Sequence, residues 1–239
     1  MNGLNSIHMR HSLMVLSLIS LLPVLAWGKG KTVPTNSNTP KSNSNTIIDV
    51  DSNVYHTVKI GKQTWMLENL RVTRFRNGKP LFNIKDSVRW SILNTAAFCS
   101  YNNDSSLVKT HGYLYNWYAV ADTQKICPKG WHVPSDADWN ILEEYLGGTT
   151  VCGGKMKDTS SVWQNSLGGT NESGYCGFPS GCRTNKGVFN SFGYYGLWWS
   201  STENYTSYAW YRCINYNSTD LFRHYYYKRY GFSIRCLKD

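Results

Sequence analysis

The stretch from Cys127 to Gly148, CPKGWHVPSDADWNILEEYLGG, limits what this chain can fold into more than any other. Pro134 holds Val133 extended, because the proline ring clashes with a helical residue before it. Ser135 is then placed to cap a helix, and Asp138 three residues on completes an acidic variant of the capping box. Asp136 and Asp138 also face the positive end of the helix dipole. The predicted helix spans 136–146 and puts Trp139, Leu142, Tyr145 and Leu146 on one face. Gly147 stands where a left-handed stop is needed. His132, between Trp131 and Val133, reads as a packed strand residue. Glu143 and Glu144 are adjacent on the helix, about 100° apart, and do not make a paired-carboxylate site. The stretch reads as a structural device that organises its neighbours.

The N-terminal segment reads as an export signal. Arg10 and His11 precede an apolar run from Leu13 to Ala26, and Ala26, Trp27 and Gly28 offer a small-x-small cleavage site. The run is short for a membrane span, and no cysteine follows it for lipid attachment. Residues 1–28 are therefore expected to be removed, leaving no stable membrane span and a secreted, periplasmic or cell-surface protein. Residues 29–46, mostly Asn, Ser, Thr, Pro and Lys, lack the apolar surface that ordering requires and read as a disordered linker. Residues 47–239 remain for one domain. The formal charge of +10 drops by Arg10 alone on cleavage, to +9, and the basic residues are scattered. With no nucleic-acid motif beside that charge, nucleic acid is not an expected partner.

Seven cysteines in an exported chain are disulfide candidates, and the odd count leaves at least one unpaired within the monomer. No Cys-x-x-Cys pair occurs, which argues against structural zinc. Cys127 with Cys236 is the first expected bridge, tying the entry to the helix to the closing strand. A loop of about 110 residues closed in this way stabilises by roughly 4 to 5 kcal/mol in the chain-entropy model. Cys176 with Cys182 is the second, across a Gly-Phe-Pro-Ser-Gly turn. Cys99, Cys152 and Cys213 leave one further pair and one free thiol, between which the sequence does not choose.

Along the domain, rough alternation from Ile47 to Ile60, a turn at Gly61 and Lys62, and a partner over 63–66 predict a hairpin. A short helix is expected around 91–98. The aromatic run 112–120 reads as core packing, not as a stacking platform. Beyond Gly148 periodicity fails, and 153–157, 174–183 and their surroundings read as strand-like pieces within long loops. Apolar strands resume at 197–201, at 208–214 and at 231–236, where Phe232, Ile234 and Cys236 share a face.

Several ordered blocks carry a family resemblance: QTWMLENL from Gln63, GYLYNWYAV from Gly112, CPKGWHVPSDADW from Cys127, GKMK from Gly154, FPSG from Phe178, WWSS from Trp198 and GFSIRC from Gly231. With these the chain resembles the Fibrobacter succinogenes major paralogous domain, found in many exported bacterial proteins, and the blocks span nearly all of the mature domain. The family is distantly similar to the formylglycine-generating oxidase and C-type-lectin-like folds. The resemblance implies an α+β domain with a twisted, mostly antiparallel sheet, few helices and long disulfide-tied loops. The oxidases bind copper through a closely spaced cysteine pair near the C-terminus; here Cys213 and Cys236 stand apart, and that activity is not carried over. The Glu-Pro-Asn, Gln-Pro-Asp and Trp-Asn-Asp triplets of calcium-dependent lectins are missing as well, and Asn102, Asn103 and Asp104 read as turn formers.

Function is bounded and not fixed by these observations. No catalytic, cofactor-binding or metal-binding residue is predicted, and no Gly-x-Ser-x-Gly elbow occurs. The expectation is an exported, non-catalytic binding or adhesion module that recognises a glycan or a cell-surface protein through aromatic-rich loops. Tyr194, Tyr195, Tyr205, Tyr208 and Tyr225 are the candidate ligand-facing aromatics. The alternative is an enzyme on an oxidase-like fold with an unrecognised active site.

Overall fold

The structure, a computed structural model, describes residues 46–160 and 162–239. The expected signal peptide and the linker up to residue 45 lie outside the described residues. Thr46, read as the end of the linker, is instead the first residue of β1 (Thr46–Ile48), which pairs antiparallel with β2 (Val54–Ile60). The chain then turns at Gly61 into β3 (Gln63–Met66). Gly61 has φ +59°, and the Tyr145 ring would meet an added Cβ at 2.8 Å, so both conformation and space demand glycine.

Two short distant segments complete this sheet. β7 (Trp131–His132) and β13 (Leu237–Lys238) extend it in the order β1-β2-β3-β13-β7, with Leu237 opposite both Trp65 and His132. The Cys127–Cys236 disulfide joins Cα atoms 6.0 Å apart and 109 residues apart in sequence, beside β13.

The opening stretch folds as its residues dictate. α4 (Asp136–Tyr145) begins with Ser135 and Asp138 in a reciprocal capping box, and Gly147 adopts φ +102° beyond its end. Trp139 and Leu142 are buried, the Trp139 ring 4.9 Å from that of Trp65. Tyr145, which shares their face by spacing, is largely exposed and lies over Gly61.

Elsewhere the structure corrects the expectations. The helix expected at 91–98 lies earlier, as α1 (Ser87–Ser91), because the Asp86 carboxylate accepts from the Arg89 N–H and sets its start. Ala97, Phe98 and Cys99 form β5 (Ala97–Cys99), parallel to β4 (Phe82–Asn83) and antiparallel to β6 (Leu114–Tyr115). The strand-like reading of 153–157 gives way to α5 (Thr149–Met156). Gly153 and Gly154 weaken any helical signal, yet they are what lets α5 dock: an added Cβ on Gly153 would stand 2.1 Å from the Asp220 carbonyl oxygen. Residues 231–233 make only isolated bridges, each to a different partner, so no regular ladder forms until Leu237.

Cys176 and Cys182 are both free, which overturns the second expected bridge. Cys176 is held at φ +54° by Asn171, whose amide oxygen accepts from its N–H at 2.9 Å. The chain between the two cysteines runs on into β8 (Ser180–Arg183), which pairs with β9 (Phe189–Phe192), so no tight turn brings the thiols together. Cys99, Cys152 and Cys213 are free as well.

Two short helices, α2 (Val108–His111) and α3 (Trp117–Ala121), flank β6. The C-terminal half is dominated by β10 (Tyr195–Tyr205), β11 (Tyr208–Asn215) and β12 (Leu221–Tyr227), a three-stranded antiparallel sheet in that order. The expected α+β character, with mostly antiparallel sheet and few helices, holds. No helix among the described residues is long and apolar enough to cross a membrane.

One polar hub knits the layers together. Asn69 donates to the His111 carbonyl and to the Ser180 and Ser233 hydroxyls, and accepts from the Trp198 indole at 2.8 Å and from Arg235. Arg235 is fully buried, lies 4.1 Å over the Tyr175 ring, and donates to the Tyr175 and Cys176 carbonyls. Carbonyl dipoles and an aromatic face here do the work of a counterion.

Candidate functional site

Residues on a strand point alternately to opposite faces, and in this sheet both faces are aromatic. The register sets Tyr211 opposite His224 and Cys213 opposite Phe222 and Leu197, so these share one face with Tyr226. Tyr208 opposite Tyr227, Trp210 opposite Tyr225 and Arg212 opposite Arg223 share the other.

The first face floors a cleft of about 490 Å³. Its walls come from β8, β9 and the turn that joins them, which bring Cys182, Thr184, Asn190 and Ser191, and from Tyr195, Asn215, Tyr230 and Phe232. The rings are braced against one another: Tyr211 lies 4.7 Å from Phe232, Tyr226 lies 4.0 Å from Tyr230, and Phe222 stacks parallel to His224 at 6.0 Å. Trp199 backs the floor, 4.4 Å from Phe232, with its indole N–H on the Tyr115 carbonyl at 2.8 Å. No lysine, arginine, aspartate or glutamate is among the lining residues, which present rings, amides and hydroxyls.

The two thiols in this cleft are chemically quiet. Burial pushes both Cys182 and Cys213 up to about 12, so each is a neutral thiol at physiological pH and not a thiolate nucleophile. Burial likewise raises the Tyr211 and Tyr230 phenols, which remain hydrogen-bond donors.

The opposite face divides into two parts. Towards α4 it is sealed by ions: Arg212, fully buried, meets Asp136 at 2.5 Å and the Asn140 amide oxygen at 2.6 Å, and Arg223 meets the same carboxylate at 2.8 Å. Burial works against the charged Asp136, but the Arg223 and Arg212 hydrogen bonds prevail and hold it below the usual carboxylate range. The other end carries a ladder of rings, with Tyr208 4.6 Å from Tyr227 and 5.8 Å from Tyr225, and Tyr225 6.3 Å from Tyr205.

The candidate aromatics therefore separate. Tyr195 lines the cleft, whereas Tyr205, Tyr208 and Tyr225 belong to the ladder on the far face. Tyr194 packs edge-on against Tyr216 at 5.1 Å. Sequence reasoning missed Phe222, His224 and Tyr226; the signal was their alternation with Arg223, Tyr225 and Tyr227, which marks a two-faced strand.

A smaller cleft, about 300 Å³, lies beside the disulfide and contains Arg76, His132 and Asp239. Its polar groups are engaged: Arg76 donates to the Cys127, Pro128 and Trp131 carbonyls, and the His132 ring lies between Asp239 at 2.7 Å and Asp138 at 3.3 Å. His132 is thus a half-buried β7 residue that ties helix α4 to residue 239. Among the described residues no group of three or more histidines, cysteines or carboxylates is arranged to hold a metal.

The family model for the Fibrobacter succinogenes major domain matches residues 58–238. No curated protein and no solved structure matches the chain.

Proposed function

We propose that this chain, which belongs to the Fibrobacter succinogenes major domain family, is an exported, non-catalytic binding module that takes a neutral glycan in the cleft over β10, β11 and β12. The observation that carries the reading is the lining: braced aromatic rings interleaved with the amides of Asn190 and Asn215 and the hydroxyls of Thr184 and Ser191, free of charged side chains. A sugar ring offers apolar C–H faces and a rim of hydroxyls, and aromatic surfaces with convergent polar groups match both. The cleft volume lies within the range of small-ligand sites. At the level of fold, the few helices, the mostly antiparallel sheets and the Cys127–Cys236 bridge support a C-type-lectin-like, formylglycine-generating-oxidase-like architecture. The absence of calcium triplets makes recognition through rings and amides the simpler mechanism.

The enzyme alternative needs an activated group, and the thiols closest to that role are held neutral by burial. A glycan array probed with the exported domain, followed by calorimetry on the hits, tests the proposal. Binding to uncharged saccharides that is lost in Tyr226→Ala is the expected result. Copper-dependent turnover of a thiol substrate, with no glycan bound, would overturn it.

A further inference from the structure

The strand at the edge of the β10-β11-β12 sheet offers a second surface, and its backbone can be read group by group. β12 lies outermost, and no described segment pairs with its other side. The Lys228 N–H donates to the Ser207 carbonyl at 2.9 Å, in line with the register that sets Tyr208 opposite Tyr227. On the neighbouring strand the Trp199 N–H and the Leu197 carbonyl turn away from β11 to Ser233. Both observations give one phase: hydrogen-bonded and non-hydrogen-bonded pairs alternate in an antiparallel ladder, so Phe222, His224 and Tyr226 turn their N–H and C=O groups inward to β11. Arg223 and Tyr225 turn theirs outward to the open edge. β12 contains no proline, lysine or acidic residue and its register with β11 is unbroken; of the usual devices that block edge pairing it retains the charge of Arg223 and the burial of Leu221, which leaves the edge open beyond Leu221.

From this we infer that β12 is a homodimerisation edge, at which a second copy of this chain pairs antiparallel about a two-fold axis passing at His224. The occupant is a second copy because the strand is complementary to itself in that register and in no neighbouring one. With the axis at His224, Arg223 and Tyr225 of the two copies face each other and exchange their outward N–H and C=O groups. Phe222 faces Tyr226, so residues 222–226 of the two copies pair, and Leu221, fully buried, stays outside the join. Moving the axis to Arg223 sets two guanidinium groups opposite one another, which repel. Moving it to Tyr225 sets Arg223 against Tyr227, whose carbonyl already accepts from the Tyr230 N–H at 2.8 Å. The Arg223 guanidinium lies 3.4 Å over the Trp210 ring and shares the Asp136 carboxylate with Arg212, which holds it on the face away from the cleft.

A two-fold axis perpendicular to a sheet keeps like faces on one side. The two clefts then adjoin across the axis, with Phe222 and Tyr226 of one copy beside Tyr226 and Phe222 of the other, and form a continuous aromatic floor. The dimer does not rest on the glycan reading; only its consequence does, namely that a polymeric ligand is gripped at two linked sites with the gain of bivalency.

The test uses the exported domain in sedimentation analysis together with circular dichroism. The wild type is expected to dimerise at or below about 100 μM. His224→Lys and His224→Glu, each setting like charges across the axis, are expected to weaken self-association about tenfold or more while leaving the spectrum unchanged. Mixing the two variants in equal amounts restores a dimer, because lysine then faces glutamate, and this happens only if position 224 opposes itself. Tyr225→Pro removes an outward N–H without touching the bonds to β11 and is expected to give a folded monomer. A wild type that stays monomeric, a dimer that survives Tyr225→Pro, or a mixture that fails to re-form would each overturn the inference. None of these results depends on whether a glycan binds.

Discussion

The two faces of β11 and β12 are built from alternating residues of the same strands, yet one makes a cleft and the other does not. On the cleft face Tyr211 is 7% exposed and wedged between Phe232 and Trp199, whereas on the ladder face Tyr205 is 64% and Tyr225 50% exposed. Aromatic content is similar on both sides. The difference is enclosure: β8, β9 and residues 230–232 rise around one face, while α4 seals the near half of the other and leaves its far half flat. Concavity supplied by distant segments, more than the tyrosines themselves, distinguishes a candidate site from an exposed patch.

The largest effect should erase the contrast altogether. Replacing Cys127 and Cys236 by serine opens a loop of 109 residues and is expected to cost about 4 to 5 kcal/mol in the chain-entropy model, read from denaturant midpoints. Both faces should weaken together, and an unchanged midpoint would remove the bridge from its structural role. Next, Trp199→Ala should cost about 3 to 5 kcal/mol, because it empties a fully buried site behind the cleft floor and leaves the Tyr115 carbonyl with the Phe232 N–H in place of two donors. Tyr225→Ala on the ladder should cost less than about 1 kcal/mol, since a half-exposed ring loses few contacts.

Binding provides a finer contrast. Tyr226→Ala should lower affinity for a cleft ligand about tenfold, and Tyr227→Ala, its neighbour on the opposite face, less than about twofold, as measured by calorimetry. Equal losses from the two would show that the ladder takes part in the site. The smallest effect lies in pH. The Cys182 and Cys213 thiols ionise at about 12 in the folded protein against an ordinary 9.0, so the unfolded chain releases these protons first as pH rises. Their contribution is whole below pH 9 and declines from there towards 12. Lys157, pulled down to about 8 by burial, acts in the opposite sense above pH 8. Cys182→Ala with Cys213→Ala should therefore flatten the alkaline loss of stability, whereas ladder substitutions should leave it unaltered.

Legibility in the sequence follows from how local the determining forces are. Ser135, Asp138 and Gly147 act within one helix, and α4 was readable from them to within a residue. The hairpin at Gly61 was readable for the same reason. By contrast, α5 carries Gly153 and Gly154 because of contact with Asp220 and Thr219 more than sixty residues away, a demand that local propensity opposes. β5 is extended because the Asn116 side chain accepts from the Ala97 N–H and two strands flank it, which no window around 91–98 contains. The Cys127–Cys236 pairing could be argued from the elements it joins. The Cys176–Cys182 expectation failed because short spacing says nothing about whether the chain between turns or runs on. For the site, the sequence named Tyr195 but grouped it with ladder residues, since composition cannot tell one face from another once the strand alternation of 221–227 is overlooked.

The position of β13 has a consequence for timing. Residues 237 and 238 form neither an edge nor an afterthought but the strand between β3 and β7, so the first sheet stays split until they have left the ribosome. The disulfide partner at position 236 arrives at the same moment. A domain whose early and middle segments meet only through a later strand gains little from folding before that strand has been synthesised.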